Sequence, residues 1–64
     1  MMNKLEQLYK QVKQLEKYYQ TCADEALYKN NTLASTIHTV EASAYASVCQ
    51  MIEELMEGGD HKDE

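Results

Sequence analysis

The sequence predicts an all-α fold, and three observations support this class. The chain contains no proline, and its only glycines are Gly58 and Gly59. The residues before them are mostly good helix formers. β-sheet and α/β folds need turn residues between their elements, glycine and proline above all. Because such residues are missing before residue 58, we predict helices alone.

Apolar residues in the first half of the chain recur at alternating intervals of three and four. Such a heptad stripe is typical of a helix that packs along another helix. Lys10, Lys13 and Lys17 lie on the other side, as expected of a solvent-facing surface. The pattern predicts a first helix over residues 3–29, with the stripe Leu5, Leu8, Val12, Leu15, Tyr19, Cys22 and Ala26.

The stripe stops at residues 30–32, Asn-Asn-Thr, where we predict a turn. Asparagine tolerates the left-handed conformation that ends many helices, and Asn31 or Thr32 can cap the next helix. One continuous helix through residues 3–57 is the alternative, but Lys29 would then occupy an apolar heptad position. The tail, residues 58–64, is predicted to be acidic and disordered. A second helix is predicted over residues 33–57, with the stripe Leu33, Ile37, Val40, Ala44, Val48, Met51 and Leu55.

The predicted hairpin, residues 1–57, is too small to bury much of its own surface. A lone core in a chain of this length rarely contributes more than about 3–5 kcal/mol. Two helices share a single seam, so other apolar side chains need cover. We therefore predict an antiparallel two-helix hairpin that self-associates into a homodimeric four-helix bundle, the simplest closed arrangement. The side chains expected to need cover are Tyr9, Tyr18, Tyr45, Ile52 and Met56.

Charge and cysteine content exclude several classes of protein. The formal net charge is −5 and all six basic residues are lysine. Nucleic-acid binding normally needs a basic patch, and arginine is the residue that reads phosphates and bases with two bonds. We therefore expect no nucleic-acid partner, and no membrane span because no apolar run reaches about 18 residues. Free Cys22 and Cys49, without a recognisable signal peptide, indicate a cytoplasmic protein.

His38 and Glu41 form the one pair of titratable residues that suggests a ligand or metal site. Residues three apart share a helix face, and carboxylate-bridged di-iron bundles use the reverse order, Glu-x-x-His. Facing positions in the hairpin place Glu41 near Tyr19 and His38 near Asp24. The alternative is therefore structural, with His38 paired to Asp24 and Glu41 accepting a hydrogen bond from a tyrosine hydroxyl.

Small residues and tyrosines provide the candidate interface. The small strip on the second helix is Ser35, Thr39, Ala42, Ser43, Ala46 and Ser47. It predicts a close helix contact, a bland exposed surface or a ligand groove. Tyrosines suit surfaces that are buried on one side and wet on the other. They either cover the core of the bundle or, in Tyr28 near the turn with Tyr18 or Tyr9, anchor a partner protein. The predicted interface residues are Tyr9, Tyr18, Tyr28, Thr39, Ala42, Ser43, Tyr45 and Ala46.

No residues form a convincing catalytic set, so the sequence predicts a non-enzymatic protein without a cofactor. We expect a small interaction module, a regulator, inhibitor or adaptor, that acts as a homo-oligomer on a partner protein. One alternative is a helical oligomer that holds a small ligand or metal between subunits, lined by His38 and Glu41. A third reading is an acidic decoy of a DNA-binding surface, based on Glu53, Glu54 and Glu57.

Overall fold

The structure, a computed structural model, describes residues 3–58 and consists of two antiparallel α-helices. Helix α1 spans Lys4–Tyr28 and helix α2 spans Thr32–Gly58, and the two pack against each other along their length. The all-α helical hairpin is thus confirmed, and the single continuous helix is wrong. The predicted bounds of 3–29 and 33–57 differ from these by one residue at each end. The predicted tail beyond residue 58 lies outside the described residues.

Helix α1 begins with a capping box that closes its first turn. The side chain of Asn3 accepts a hydrogen bond from the Glu6 N–H at 2.8 Å. The carboxylate of Glu6 accepts one from the Asn3 N–H at 3.1 Å. Each bond satisfies a backbone N–H that has no partner inside the helix, and the acidic side chain also suits the positive end of the helix dipole.

The turn is built by two asparagines with different roles. Asn30 has a φ of 62°, in the left-handed region, as the sequence predicts. Its N–H donates to the Leu27 carbonyl at 2.9 Å, and the Asn31 N–H donates to the Ala26 carbonyl at 2.8 Å, which is the Schellman arrangement. The side chain of Asn31 then accepts a hydrogen bond from the Ala34 N–H at 3.1 Å and so caps α2.

The seam between the helices is thin. Near the open end of the hairpin, opposite the turn, Val12, Cys49 and Ile52 form a buried cluster. Towards the turn the buried residues are Ala23 and Ala42. Alanines at this end let the two backbones approach, but they remove little apolar area from water. The partly buried residues packed against the cluster are Leu5, Tyr9, Tyr45 and Val48.

The predicted heptad stripes form this seam only in part, because α1 uses Leu5, Val12 and Tyr19 of its stripe whereas α2 uses little of its own. Helix α2 turns the neighbouring row Ala42, Cys49 and Ile52 inward, which corrects the sequence analysis, and several predicted stripe residues on both helices are left exposed. Three of the side chains that were expected to need cover are covered within the hairpin: Ile52 is buried, and Tyr9 and Tyr45 are half-buried. The physical reason is that alanines at the seam let the two helix backbones come close together, while tyrosine side chains extend across the seam to the other helix. The stripe residues left exposed are Leu8, Leu15, Leu33, Ile37, Val40, Met51 and Leu55.

Candidate interaction surface

One face of the hairpin is apolar across both helices. Residues seven apart lie nearly above one another on an α-helix. Leu8, Leu15 and Cys22 therefore form one row on α1, directly beside the seam. On the same side of the seam, α2 carries Ile37, Ala44, Val48, Met51 and Leu55. The residues of the two helices together make one surface. This surface, called the apolar face below, consists of Leu8, Leu15, Cys22, Ile37, Ala44, Val48, Met51 and Leu55.

Charge is segregated away from the apolar face. Between residues 5–24 and 32–57 the apolar face holds a single charged side chain, Glu41, and at its turn end Glu25 and Lys29 line one pocket with Cys22. The other charged residues of these segments lie on the opposite side of the seam or on the outer edges. They are Glu6, Lys10, Lys13, Glu16, Lys17, Asp24, Glu53, Glu54 and Glu57. A hairpin that stayed alone in water would gain nothing from this separation.

An aromatic cluster lies at the centre of the hairpin, where the seam meets the apolar face. The ring of Tyr19 stacks on Tyr45, with centroids 5.5 Å apart, and on His38 at 6.1 Å. Tyr18 meets Tyr19 edge to face at 5.0 Å. A hydrogen bond with the Cys22 thiol raises the pKa of Tyr18 above its usual value. These contacts hold His38 in one orientation beside the seam.

His38 and Glu41 bond to each other. The Nδ1 of His38 lies 2.7 Å from Oε1 of Glu41, and both side chains are partly exposed. The predicted pairing of His38 with Asp24 is therefore wrong, as is the predicted tyrosine hydroxyl bond to Glu41. Asp24 lies across the seam on the other face, while Tyr19 offers His38 its ring. The i, i+3 spacing on one helix lets this pair close without help from α1.

A second polar group lies on the opposite side of the seam, near the open end. The Tyr9 hydroxyl donates to Oε2 of Glu53 at 2.7 Å, and this bond raises the pKa of Tyr9. The Nζ of Lys13 lies 5.9 Å from the centroid of the Tyr9 ring and 3.6 Å from Oε1 of Glu16. The nearby Glu16 carboxylate raises the pKa of Lys13. Burial raises the pKa of the Cys49 thiol, and Glu16 raises it further.

The small strip of α2 is divided between the seam and an open groove. Ala42 is buried and Ala46 half-buried, whereas Thr39 and Ser43 are exposed. The groove has a volume of about 350 Å³, and its lining is Gln20, Ala23, Asp24, Thr39, Ala42, Ser43 and Ala46. The strip therefore gives a close helix contact on its inner edge and a shallow surface on its outer edge.

Tyr28 stands apart from the other tyrosines. It is 90% exposed at the end of α1, next to Leu27, and Leu33 is exposed across the turn. These three side chains, called the tip below, are the exposed apolar residues around the turn, and they lie on different sides of the hairpin. Of the other predicted interface tyrosines, Tyr18 is exposed, whereas Tyr9 and Tyr45 are held in the contacts described above.

No family model, curated protein or solved structure matches this chain. Within residues 3–58, no group of three or more His, Cys, Asp or Glu side chains is arranged to hold a metal ion. In the same part of the chain, neither helix combines the length and the hydrophobicity that a membrane crossing requires. The apolar face, the aromatic cluster and the tip are thus the features from which a function is argued.

The sequence analysis singled out the pair His38 and Glu41, the small strip and Tyr28, and their roles in binding stay predictions. It missed the apolar face as a surface, because it assigned both heptad stripes to the seam. The available signal was that each helix carries two adjacent rows of apolar residues, and only one row can face the other helix. It also missed the bond between Tyr9 and Glu53, which depends on the register of the two helices.

Proposed function

We propose that this chain is a non-enzymatic protein-interaction module that acts as a homodimer, with two hairpins forming a four-helix bundle. The observation that carries the proposal is the exposed apolar face. Its large side chains, Leu8, Leu15, Ile37, Met51 and Leu55, are between 40% and 67% exposed in the single hairpin. Covering them with a second hairpin would add the apolar burial that the thin seam lacks.

The energetic argument compares the seam with the face. The buried seam residues are Val12, Ala23, Ala42, Cys49 and Ile52, and most of these are small. A core of this kind contributes little against the conformational entropy of ordering two helices. The residues of the apolar face include five large side chains, so a dimer would add their burial to that of the seam.

We further propose that the tip binds the partner protein. Tyr28 and Leu27 lie outside the apolar face and would stay accessible in the dimer, whereas Leu33 lies five helical turns before Met51 and in line with it. Tyrosine is favoured at protein interfaces, because it buries a large ring while its hydroxyl keeps a polar contact. The partner would present an apolar pocket with a hydrogen-bond acceptor at its edge.

Sedimentation equilibrium and native mass spectrometry test the dimer. We expect a species of twice the 7.4 kDa chain mass, without a bound small molecule. A monomer at all accessible concentrations would refute the proposal. A dimer that retains a metal or an organic ligand, lost on replacing His38 and Glu41 with alanine, would instead support the ligand-holding alternative.

The tip is tested separately by Tyr28→Ser, with Lys10→Ser as a control at an exposed position on α1. We expect Tyr28→Ser to leave the dimer intact and to abolish capture of whichever protein the wild type retains from a cell extract. Lys10→Ser should retain that protein. Equal capture by all three proteins would show that the tip is not the contact surface.

A further inference from the structure

His38 and Glu41 form a polar pair at the edge of the apolar face, in the half of α2 nearer the turn. Glu41 belongs to this face, and His38 lines a pocket together with Cys22, which also belongs to it. The side chain of His38 is 31% exposed and that of Glu41 is 42% exposed. In a single hairpin both groups therefore contact water. A second copy that covers the apolar face would take most of that water away.

The net charge of this pair depends on the protonation of His38. The Nδ1 of His38 and Oε1 of Glu41 are 2.7 Å apart, in a hydrogen bond that either a neutral or a protonated imidazole can donate. With a neutral imidazole, the pair carries one negative charge. With a protonated imidazole, it is an ion pair without net charge. Enclosing a carboxylate is costly unless an opposite charge accompanies it, so the protonated form is the one that suits a covered surface.

We propose that pH controls association through the apolar face, because protonation of His38 neutralises Glu41 where a second copy encloses it. Histidine is the side chain that ordinarily changes charge between pH 5 and 8. This inference rests on the proposed dimer and adds its regulation. It does not depend on how the second copy is oriented, since the pair belongs to the covered surface in either orientation.

The aromatic cluster keeps the imidazole beside Glu41. The Tyr19 ring stacks on His38, with centroids 6.1 Å apart, and on Tyr45 at 5.5 Å. Tyrosine ordinarily carries no charge near neutral pH, so neither ring supplies His38 with a counter-charge. The bond to Glu41 needs only the i, i+3 spacing of α2, and it therefore persists when a second copy covers the face.

The charged groups of α1 near His38 do not take the place of Glu41. Cys22, Glu25 and Lys29 line the pocket beside the imidazole. Glu25 and Lys29 have opposite charges and both are exposed, so together they add little net charge at this point. Glutamate and lysine ordinarily keep their charges between pH values of about 5.5 and 7.5, and cysteine ordinarily stays neutral there. The charge that changes in this part of the surface is therefore that of His38.

The direction of the effect follows from proton uptake. Because the covered pair favours a protonated His38, the dimer holds more protons than two separate hairpins at the same pH. Linkage then requires the dimer dissociation constant to fall as the pH falls. We expect it to be on the order of tenfold lower at about pH 5.5 than at about pH 7.5, with each of the two copies contributing about threefold.

Sedimentation equilibrium across this pH range tests the proposal, at about 0.15 M salt to screen repulsion between the acidic chains. His38→Gln keeps a donor for Glu41 but stays neutral, so its dissociation constant should remain near the wild-type value of about pH 7.5 throughout. The other histidine of the chain, His61, lies outside the described residues and provides the matched control. His61→Gln should keep the wild-type pH response.

Glu41→Gln separates charge from hydrogen bonding. Its side-chain oxygen can still accept from His38, but the carboxylate is gone. A protonated His38 would then be enclosed without a counter-charge, so this dimer should weaken as the pH falls, opposite to the wild type. A purely structural role for the bond would give no such reversal, because glutamine at position 41 preserves the bond. Tightening of Glu41→Gln by the wild-type factor would therefore overturn the proposal.

Failure of this inference differs from failure of the dimer. A wild-type dimer with the same dissociation constant at about pH 5.5 and about pH 7.5 would overturn pH control and leave the dimer standing. A pH response that His61→Gln abolishes and His38→Gln retains would overturn it as well. A chain that sediments as a monomer at every pH would overturn the dimer itself. Circular dichroism at each pH separates a change in association from unfolding of the helices.

Discussion

Leu55 and Leu27 are both exposed leucines near the end of a helix, but they lie on different faces of the hairpin. Leu55 belongs to the apolar face and is 67% exposed, whereas Leu27 is 60% exposed on the side of the seam that carries the groove. Leu55→Ala and Leu27→Ala are therefore the same chemical change at similar exposure. We expect Leu55→Ala to weaken the dimer and Leu27→Ala to leave its dissociation constant within about twofold of wild type.

The magnitude follows from the exposed area of Leu55. Full burial of a leucine side chain contributes roughly 2 kcal/mol. About two thirds of that remains to be gained when a second hairpin covers Leu55, and alanine keeps part of it, which leaves about 1 kcal/mol per copy. Both copies carry the substitution, so the dimer loses about 2 kcal/mol, or roughly 30-fold in dissociation constant.

Sedimentation equilibrium at several loading concentrations measures the dimer dissociation constant of the wild type, Leu55→Ala and Leu27→Ala. Helical content, from circular dichroism at a concentration where each is dimeric, controls for loss of the fold. Helix propensity does not bias the comparison, because both variants replace leucine with alanine. Equal dissociation constants for Leu55→Ala and Leu27→Ala would refute the assignment of the apolar face as the dimer interface.

Three further predictions concern the hairpin itself. Tyr9→Phe should lower the thermal midpoint at neutral pH, because it removes the hydrogen bond to Glu53. Folding raises the pKa of Tyr9, so this bond contributes fully to stability below pH 10.0, the usual pKa of tyrosine. As the pH rises through the raised pKa, the difference in thermal midpoint between variant and wild type should shrink, which thermal melts at several pH values would show. At concentrations where the chain is a single hairpin, Cys22 should react with iodoacetamide faster than Cys49, which is 2% exposed and has a raised pKa, and equal labelling of the two thiols by mass spectrometry would contradict this. Asn31→Ala should cost about 1 kcal/mol of unfolding free energy in a urea titration because α2 loses its cap, whereas an unchanged titration would show that the cap is dispensable.

The fold was predictable because its signals are local. Asn30 and Asn31 mark the turn through their own backbone preferences, and the absence of earlier glycine and proline leaves no other break. The capping box of Asn3 and Glu6 was also readable, since its three-residue spacing is a known start signal. These features depend only on residues near one another in the chain.

The choice of inward row was not predictable from periodicity. Hydrophobic spacing shows that a helix is amphipathic, but not which of two adjacent apolar rows meets the other helix. Here Tyr9 and Tyr45 lie on the inner row, while Leu15 and Met51 lie outside it. The stacking of His38 on Tyr19 depends on the register between helices, which local sequence does not specify. The hydrogen bond between His38 and Glu41 could be predicted from the sequence, because both residues lie on the same helix three positions apart.

Because the seam is thin, the lifetime of the folded chain would depend on the concentration of the protein. If the apolar face is where most burial occurs, dilution below the dissociation constant removes the second hairpin and leaves Val12, Cys49 and Ile52 as the main support of the fold. By mass action, the folded fraction would then rise with total protein concentration. Single chains would open often and be cleaved by proteases, whereas paired chains would survive. A cell could therefore set the working amount of this protein through synthesis rate alone, with a sharper response than a protein stable as a monomer would give.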